Sequence, residues 1–499
     1  MTSPAPVLRM GSAAGRGTLL AAVLASGMVF LDSTVVNVAL PRLGRDLDAD
    51  VAGLQWTVNG YLLMLAAFVL LGGALGDRFG RRRIFLVGVV WFTLASVLCG
   101  LSQDTSHLVA ARFLQGAGGA LLTPGSLSVL QASFHPDDRG RAIGAWSGLS
   151  GVSTALGPFI GGWLIDALSW RWIFFLNVPI AVVVLLAAVR WVPESRDEAA
   201  SRTQGPGRRH RRFDVAGALL GAAALAGITY ALIDAPVRGF DSLPVLGSAL
   251  VGLLGAVVFV LVERRRGDTA MLPTGLFGSR LFSVLNIFTV VVYAALSGFT
   301  FFLAVYLQNV VGWSALLTGV SLLPMTVLLL VGSARAGALS ARIGPRLPLT
   351  VGPVVAALGL ILLRGVDPGA SYWRDVLPGV TLFGAGLTLV VAPLTASVLA
   401  AVEDRFAGVA SGFNNAASRA GGLLAIAALP LLVGLSGSAY EQEAALTDAY
   451  RGAMLWCAGL LVAGAVLALL LVHRPPRQAP PSQPCHSLPA STPPRPGGR

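Results

Sequence analysis

The chain has 499 residues, 55% of them hydrophobic and only 12% charged, with a formal net charge of +12. A soluble protein carries about 25% charged residues, so the composition excludes a soluble enzyme or binding module and indicates a polytopic membrane protein. All 36 basic residues are arginine; without lysine there is no G-x-x-x-x-G-K-[ST] phosphate loop, and transport, if that is the function, must draw on an ion gradient or a partner protein.

A helix needs ~20 apolar residues to cross the hydrocarbon. On that ruler there are fourteen candidate spans, roughly 18–40, 54–75, 84–101, 106–131, 142–165, 171–191, 214–233, 243–262, 282–305, 314–334, 347–364, 376–400, 407–434 and 452–472. The first run is too long for a signal-peptide core and reads as retained. The arginines sit mainly in short loops on one side, among them Glu194–Arg212 and Arg264–Arg266. Topology explains them better than a nucleic-acid surface does, and it predicts that both termini are cytoplasmic.

Span 1 carries Leu31-Asp32-Ser-Thr-Val-Val-Asn37-Val-Ala-Leu-Pro41. Asp32 is the one carboxylate well inside a span, where an acid costs ~2.5–3.5 kcal/mol on insertion scales. Such a group reads either as a proton carrier or as a carboxylate that caps or hydrogen-bonds a neighbouring helix. Spans 2 and 3 are joined by Gly73-Ala-Leu-Gly-Asp77-Arg78-Phe-Gly80-Arg81-Arg82-Arg83. Its glycines permit a tight reversal, and its arginines pin the loop to one membrane face.

Span 4 contains Arg112-Phe-Leu-Gln115-Gly116-Ala-Gly118-Gly119. At 1.5 Å per residue, Arg112 and Asp32 both lie ~10–12 Å below the outer surface, a depth that permits an ion pair. Span 5 carries Gly140, Gly144 and Gly148, then Gly157-Pro158-Phe-Ile-Gly161-Gly162. Four-residue spacing makes a smooth helix face, and proline removes a backbone hydrogen bond. Hinge or seal and plain packing are both open readings of that stretch.

At the outer end of span 9, Tyr306-Leu-Gln308 precedes Trp313, where aromatic residues read as interface anchors. In span 13, Asn414, Asn415 and the buried base Arg419 need partners within the protein or an aqueous cavity. Asn37, Gln115, Gln308, Asn414, Asn415 and Arg419 are therefore candidates for lining a cavity. The three cysteines show no metal or redox spacing; no metal site and no cofactor are expected.

The Gly73 loop recurs 264 positions later as Gly337-Ala-Leu-Ser-Ala-Arg342-Ile-Gly344-Pro-Arg346. At the same offset, Gly144, Ser147, Gly148 and Gly157 reappear as Gly408, Ser411, Gly412 and Gly421. Spans 1–6 and 9–14 are thus two repeats around an inserted pair, an organisation that belongs to alternating-access transporters. The expected units are a cytoplasmic tail at 1–17, a six-helix bundle at 18–191 and a cytoplasmic loop at 192–212. Then come inserted spans 7–8 at 213–263, a loop at 264–281, a second bundle at 282–472 and a disordered cytoplasmic tail at 473–499.

These motifs resemble those of the major facilitator superfamily, over about residues 18–472. Gly73–Phe85 is similar to its loop 2–3 signature, and Leu31–Pro41 to the first-span motif of its drug:proton antiporters. Arg112–Gly119 resembles the span 4 motif assigned to proton coupling, and Gly151–Gly162 the span 5 motif of exporters. The resemblance implies an all-α major facilitator fold with fourteen transmembrane helices and a multidrug or antibiotic exporter exchanging drug for protons. It implies that Asp32 and Arg112 couple protons, and that Gly73, Asp77, Arg78, Gly80, Arg81 and Arg82 form a cytoplasmic gate. It further implies that Gly157, Pro158, Gly161 and Gly162 form a hinge or seal. The second loop has Ala341 where the first has Asp77, and no further acid sits centrally in a later span, which argues against dicationic drugs. A monomer in the plasma membrane is expected, with a small-molecule drug or antibiotic, protons and the lipid bilayer as partners and no nucleic acid. The alternatives are a proton-coupled nutrient symporter of the same superfamily or a non-transporting membrane receptor.

Overall fold

The computed structural model describes residues 8–195, 215–267, 274–403, 406–437, 439 and 442–472. The expectations for 1–7, most of the 192–212 loop, part of the 264–281 loop and the 473–499 tail lie outside the described residues. Among the described residues fourteen long helices follow one another: α1 Ala13–Leu47, α2 Val51–Phe79, α3 Arg81–Gly100, α4 Thr105–Ser133, α5 Pro136–Ala167, α6 Trp172–Trp191 and α7 Val215–Arg238. The chain continues as α8 Leu243–Arg266, α9 Arg280–Asn309, α10 Ala315–Ile343, α11 Arg346–Leu363, α12 Tyr372–Ala400, α13 Ala407–Leu432 and α14 Glu443–Leu471.

Thirteen of these are long and apolar enough to cross a membrane; α4, which carries Arg112 and Gln115, falls short of that apolarity. Most helices overrun the spans read from hydropathy, because backbone hydrogen bonding continues into polar ends that are capped. Ser12 accepts from the Gly15 N–H at the start of α1, and Asp50 does the same for Gly53 at the start of α2 (2.8 Å). α10 is broken at Leu322 before Pro324, whose ring cannot donate to the preceding turn.

Packing repeats with the sequence. α1 packs on α5 and α6, α2 on α4, and α3 on α4 and α6; eight helices later α9 packs on α13 and α14, α10 on α12, and α11 on α12 and α14. The two six-helix halves meet along α2–α13, α5–α10 and α1–α9. α7 and α8 pack on each other, so tightly that a β-carbon on Gly227 would lie 2.5 Å from the Ser248 carbonyl oxygen. α7 then leans on α2 and α13, covering one seam between the halves.

Hydrogen bonds between the halves concentrate at the end opposite the Gly73–Arg83 loop. There Gln55 Nε2 donates to the Ile426 and Ala427 carbonyls (2.6 and 3.1 Å), and Gln308 Nε2 donates to the Val38 carbonyl (2.8 Å). The α5 face that carries Gly162 continues by helical spacing through Gly151, Gly148, Gly144 and Gly140. Around those four, the sites of absent β-carbons have nothing within 4 Å. The halves are therefore sealed at the far end and parted between α5 and α10 toward the arginine end. α2 and α13 stay in contact further along, at Leu70 and Gly412.

Candidate functional site

Asp32 and Arg112 meet inside the first half. Arg112 Nη1 donates to Asp32 Oδ2 at 2.5 Å, with side-chain exposures of 1% and 0%. The second carboxylate oxygen accepts from Gln115 Nε2 (2.8 Å), one turn along α4 from Arg112. Arg112 Nε donates to the Thr57 carbonyl (3.0 Å), and its guanidinium lies 4.3 Å over the Tyr61 ring. Gln115 also accepts from Arg112 and from the Cys99 thiol and donates to Ser96, whose hydroxyl accepts from Asn177 (2.9 Å).

Two charges this deep each lose hydration worth several kcal/mol, which their attraction recovers only if the remaining hydrogen bonds are made. Here both carboxylate oxygens are engaged. Gln115, read from sequence as a cavity candidate, is fully buried and belongs to this cluster instead. Thr57, Tyr61, Ser96 and Cys99 carried no site assignment in the sequence, since nothing local marks a hydroxyl or carbonyl as the neighbour of a charge on another helix.

The cluster adjoins the seal. A β-carbon on Gly157 would stand 2.1 Å from Thr34 Oγ1 and 3.2 Å from the Leu31 carbonyl, and one on Gly161 2.1 Å from Val35 Cγ2. Only glycine admits the turn of α1 that follows Asp32. On the other side, Gly162 faces the Ala315 carbonyl at 2.5 Å and the Pro158 carbonyl faces Gly319 at 2.0 Å, measured again to absent β-carbons. Asp166 completes the seal by accepting from the Ala315 and Leu316 N–H groups (3.2 and 2.8 Å) at the start of α10. It went unremarked in the sequence, being a lone acid at a helix end.

At the arginine end, Asp77 pairs with Arg81 (2.9 Å) one turn on. Gly80 has φ +110°, a conformation other residues avoid, and its counterpart Gly344 has φ +89°. Arg82 donates to the Val189 carbonyl (2.7 Å), and Glu194 accepts from the Arg82 N–H (3.3 Å). In the second copy Arg346 donates likewise to the Leu469 carbonyl (2.8 Å) of α14. Glu194 is a further residue that sequence reading left within a loop. Gly73 stands in ordinary contact with Pro124, and Arg78 lies over the Phe79 ring (5.6 Å).

The remaining cavity candidates separate. Gln308 belongs to the far-end seal, and Asn37 lies on α1 with its Oδ1 buried and unpartnered. Asn414 donates to Asn286 and Thr289 of α9 (3.1 and 2.7 Å). Tyr306, read as an interface anchor, is fully buried: it donates to the Val366 carbonyl (2.8 Å) and stacks on Tyr450 at 4.0 Å. Asn415 and Arg419 are half-buried on α13, and the Arg419 guanidinium lies 5.8 Å from the centre of the Phe30 ring across the two halves.

Comparison with known proteins adds a family. Residues 22–426 match the family model described as Major Facilitator Superfamily. The chain is 38% identical over 416 residues to the tetracenomycin C resistance and export protein of Streptomyces glaucescens, covering 83% of this chain and 75% of that one. It is 36% identical over 471 residues to the puromycin resistance protein of Streptomyces alboniger, covering 92% and 91%. Among solved structures, a bacterial homologue of the lysosomal transporter Spinster, inward-facing and unoccupied, superposes with a TM-score of 0.61 at 18% identity, covering 92% of this chain and 97% of that one.

Proposed function

This chain belongs to the major facilitator superfamily, and from that membership we propose that it is a proton-coupled antiporter exporting drug- or antibiotic-like small molecules from the cytoplasm by alternating access. The resistance and export proteins it is similar to support drug efflux. The single observation that carries proton coupling is the buried Asp32–Arg112 pair, 2.5 Å apart and sealed from water. A proton neutralises the acid there and removes the attraction that offsets the burial of both groups.

Placing the arginine end in the cytoplasm follows the arginine bias of the loops, puts both termini inside a plasma-membrane protein, and makes the described state inward-open. Substrate enters between α5 and α10. Because both Asp32 oxygens are engaged by α4, the proton competes with Arg112, and substrate acts on the pair through the surrounding helices. α1 carries Asp32 and, one turn later, the Thr34 and Val35 side chains seated on Gly157 and Gly161. A shift of α1 on protonation therefore reaches the seal directly. Asp77, paired within its own loop in this state, is available to the arginine-end gate when that end closes. The protein acts as a monomer.

The reading is tested in proteoliposomes under an imposed pH gradient, with substrates taken from a drug-susceptibility panel in a pump-deficient host. Wild-type protein moves substrate against protons, and Asp32→Asn does not. Gradient-driven transport undiminished in Asp32→Asn removes Asp32 from the mechanism.

A further inference from the structure

Arg419 stands halfway along Ala407–Leu432, about 19 Å from either end at 1.5 Å per residue. Holding a cation at such depth costs ~2.5–3.5 kcal/mol on insertion scales, and the deep arginine on the other half is matched by an acid. Arg419 is not. Among the described residues it has neither ion pair nor hydrogen bond, and its nitrogens are not closed off from open space.

Its surroundings point to a ligand. Asn415 lies one turn earlier on the same face of α13, and its amide side chain is likewise unbonded and not closed off. Phe30 presents a ring to the guanidinium from α1, on the other half (5.8 Å). Asp32, the acid that a cationic drug would seek, is fully buried and held by Arg112 and Gln115.

Resting on the efflux reading above, we propose that Arg419 and Asn415 anchor the substrate between the halves, and that the exporter takes aromatic anions: ring systems bearing a carboxylate or an ionised phenol. A guanidinium offers two parallel N–H groups to a carboxylate, and the Phe30 ring stacks on a flat apolar body. A cationic drug meets uncompensated repulsion at the same point.

Two dyes with one ring framework and opposite charge test this: fluorescein, an anion, and rhodamine 6G, a cation. In neutral detergent, fluorescein raises the Tm of the purified full-length protein more than rhodamine 6G does. Arg419→Gln weakens fluorescein binding about tenfold or more, and Arg419→Lys restores part of it. Equal fluorescein binding by wild type and Arg419→Gln overturns the proposal. So does stabilisation of wild type over Arg419→Gln by phosphatidylglycerol but not by fluorescein, which assigns the charge to a lipid headgroup. In proteoliposomes the fluorescein-to-rhodamine transport ratio falls by a similar factor in Arg419→Gln. Rhodamine 6G transport without Arg419-dependent fluorescein binding sinks the anion site and leaves efflux standing. Arg419-dependent fluorescein binding with no transport of either dye supports the site and sinks the efflux reading.

Discussion

Gly319 of α10 and Pro158 of α5 meet backbone to backbone: a β-carbon on Gly319 would lie 2.0 Å from the Pro158 carbonyl oxygen. The far-end seal between the halves is thus a contact between main chains, admitted by the absence of side chains. Adding one there forces the helices apart, at about 1–3 kcal/mol for overpacking a close contact.

Gly319→Val should shift the population toward states parted at the far end by about tenfold or more. Spin labels at the exposed Leu168 and Leu317 positions will report longer distances in the variant than in wild type. An unchanged distance distribution would show that the contact does not hold the seal.

Asp166 satisfies the first two N–H groups of α10 from the opposite half. Asp166→Ala removes that cap, a loss of about 0.5–2 kcal/mol, whereas Asp166→Asn keeps an acceptor and should retain part of it. The same label pair, read in both variants, should lengthen more for alanine than for asparagine.

Removing one member of the buried pair should be worse than removing both. Arg112→Met leaves Asp32 as an uncompensated buried charge, at about 3–5 kcal/mol, and should lower the yield of monodisperse protein in size-exclusion chromatography. The double variant Asp32→Leu with Arg112→Met should recover the peak without recovering pH-driven transport. A single Arg112→Met variant as well behaved as wild type would show that the pair contributes little to stability.

Gly80 holds φ +110° with Glu194 Oε1 2.7 Å from where its β-carbon would be. Gly80→Ala should lose about 1–3 kcal/mol to backbone strain. Adding Glu194→Ala relieves the clash but not the strain, so the double variant should stay below Glu194→Ala alone in Tm. Gly344→Ala, with φ +89° in the second copy, should carry a backbone strain of the same size.

The sequence alone determined the membrane class, the all-helical fold and the duplication. Those properties follow from local composition, fixed helical rise and the offset of repeated glycines, all of which lie along one dimension. Helix ends were read short because hydropathy stops at the first charge while capped backbone hydrogen bonding does not. Only the tertiary structure decided which polar groups are spent and which are free. Gln115 turned inward to Asp32, Gln308 and Gln55 joined the far-end seal, Asp166 and Glu194 acquired partners far along the chain, and Arg419 came to lie over Phe30 across the two halves. A partner on another helix is set by how the helices pack, and packing distances between residues 80 to 371 positions apart leave no trace in local spacing.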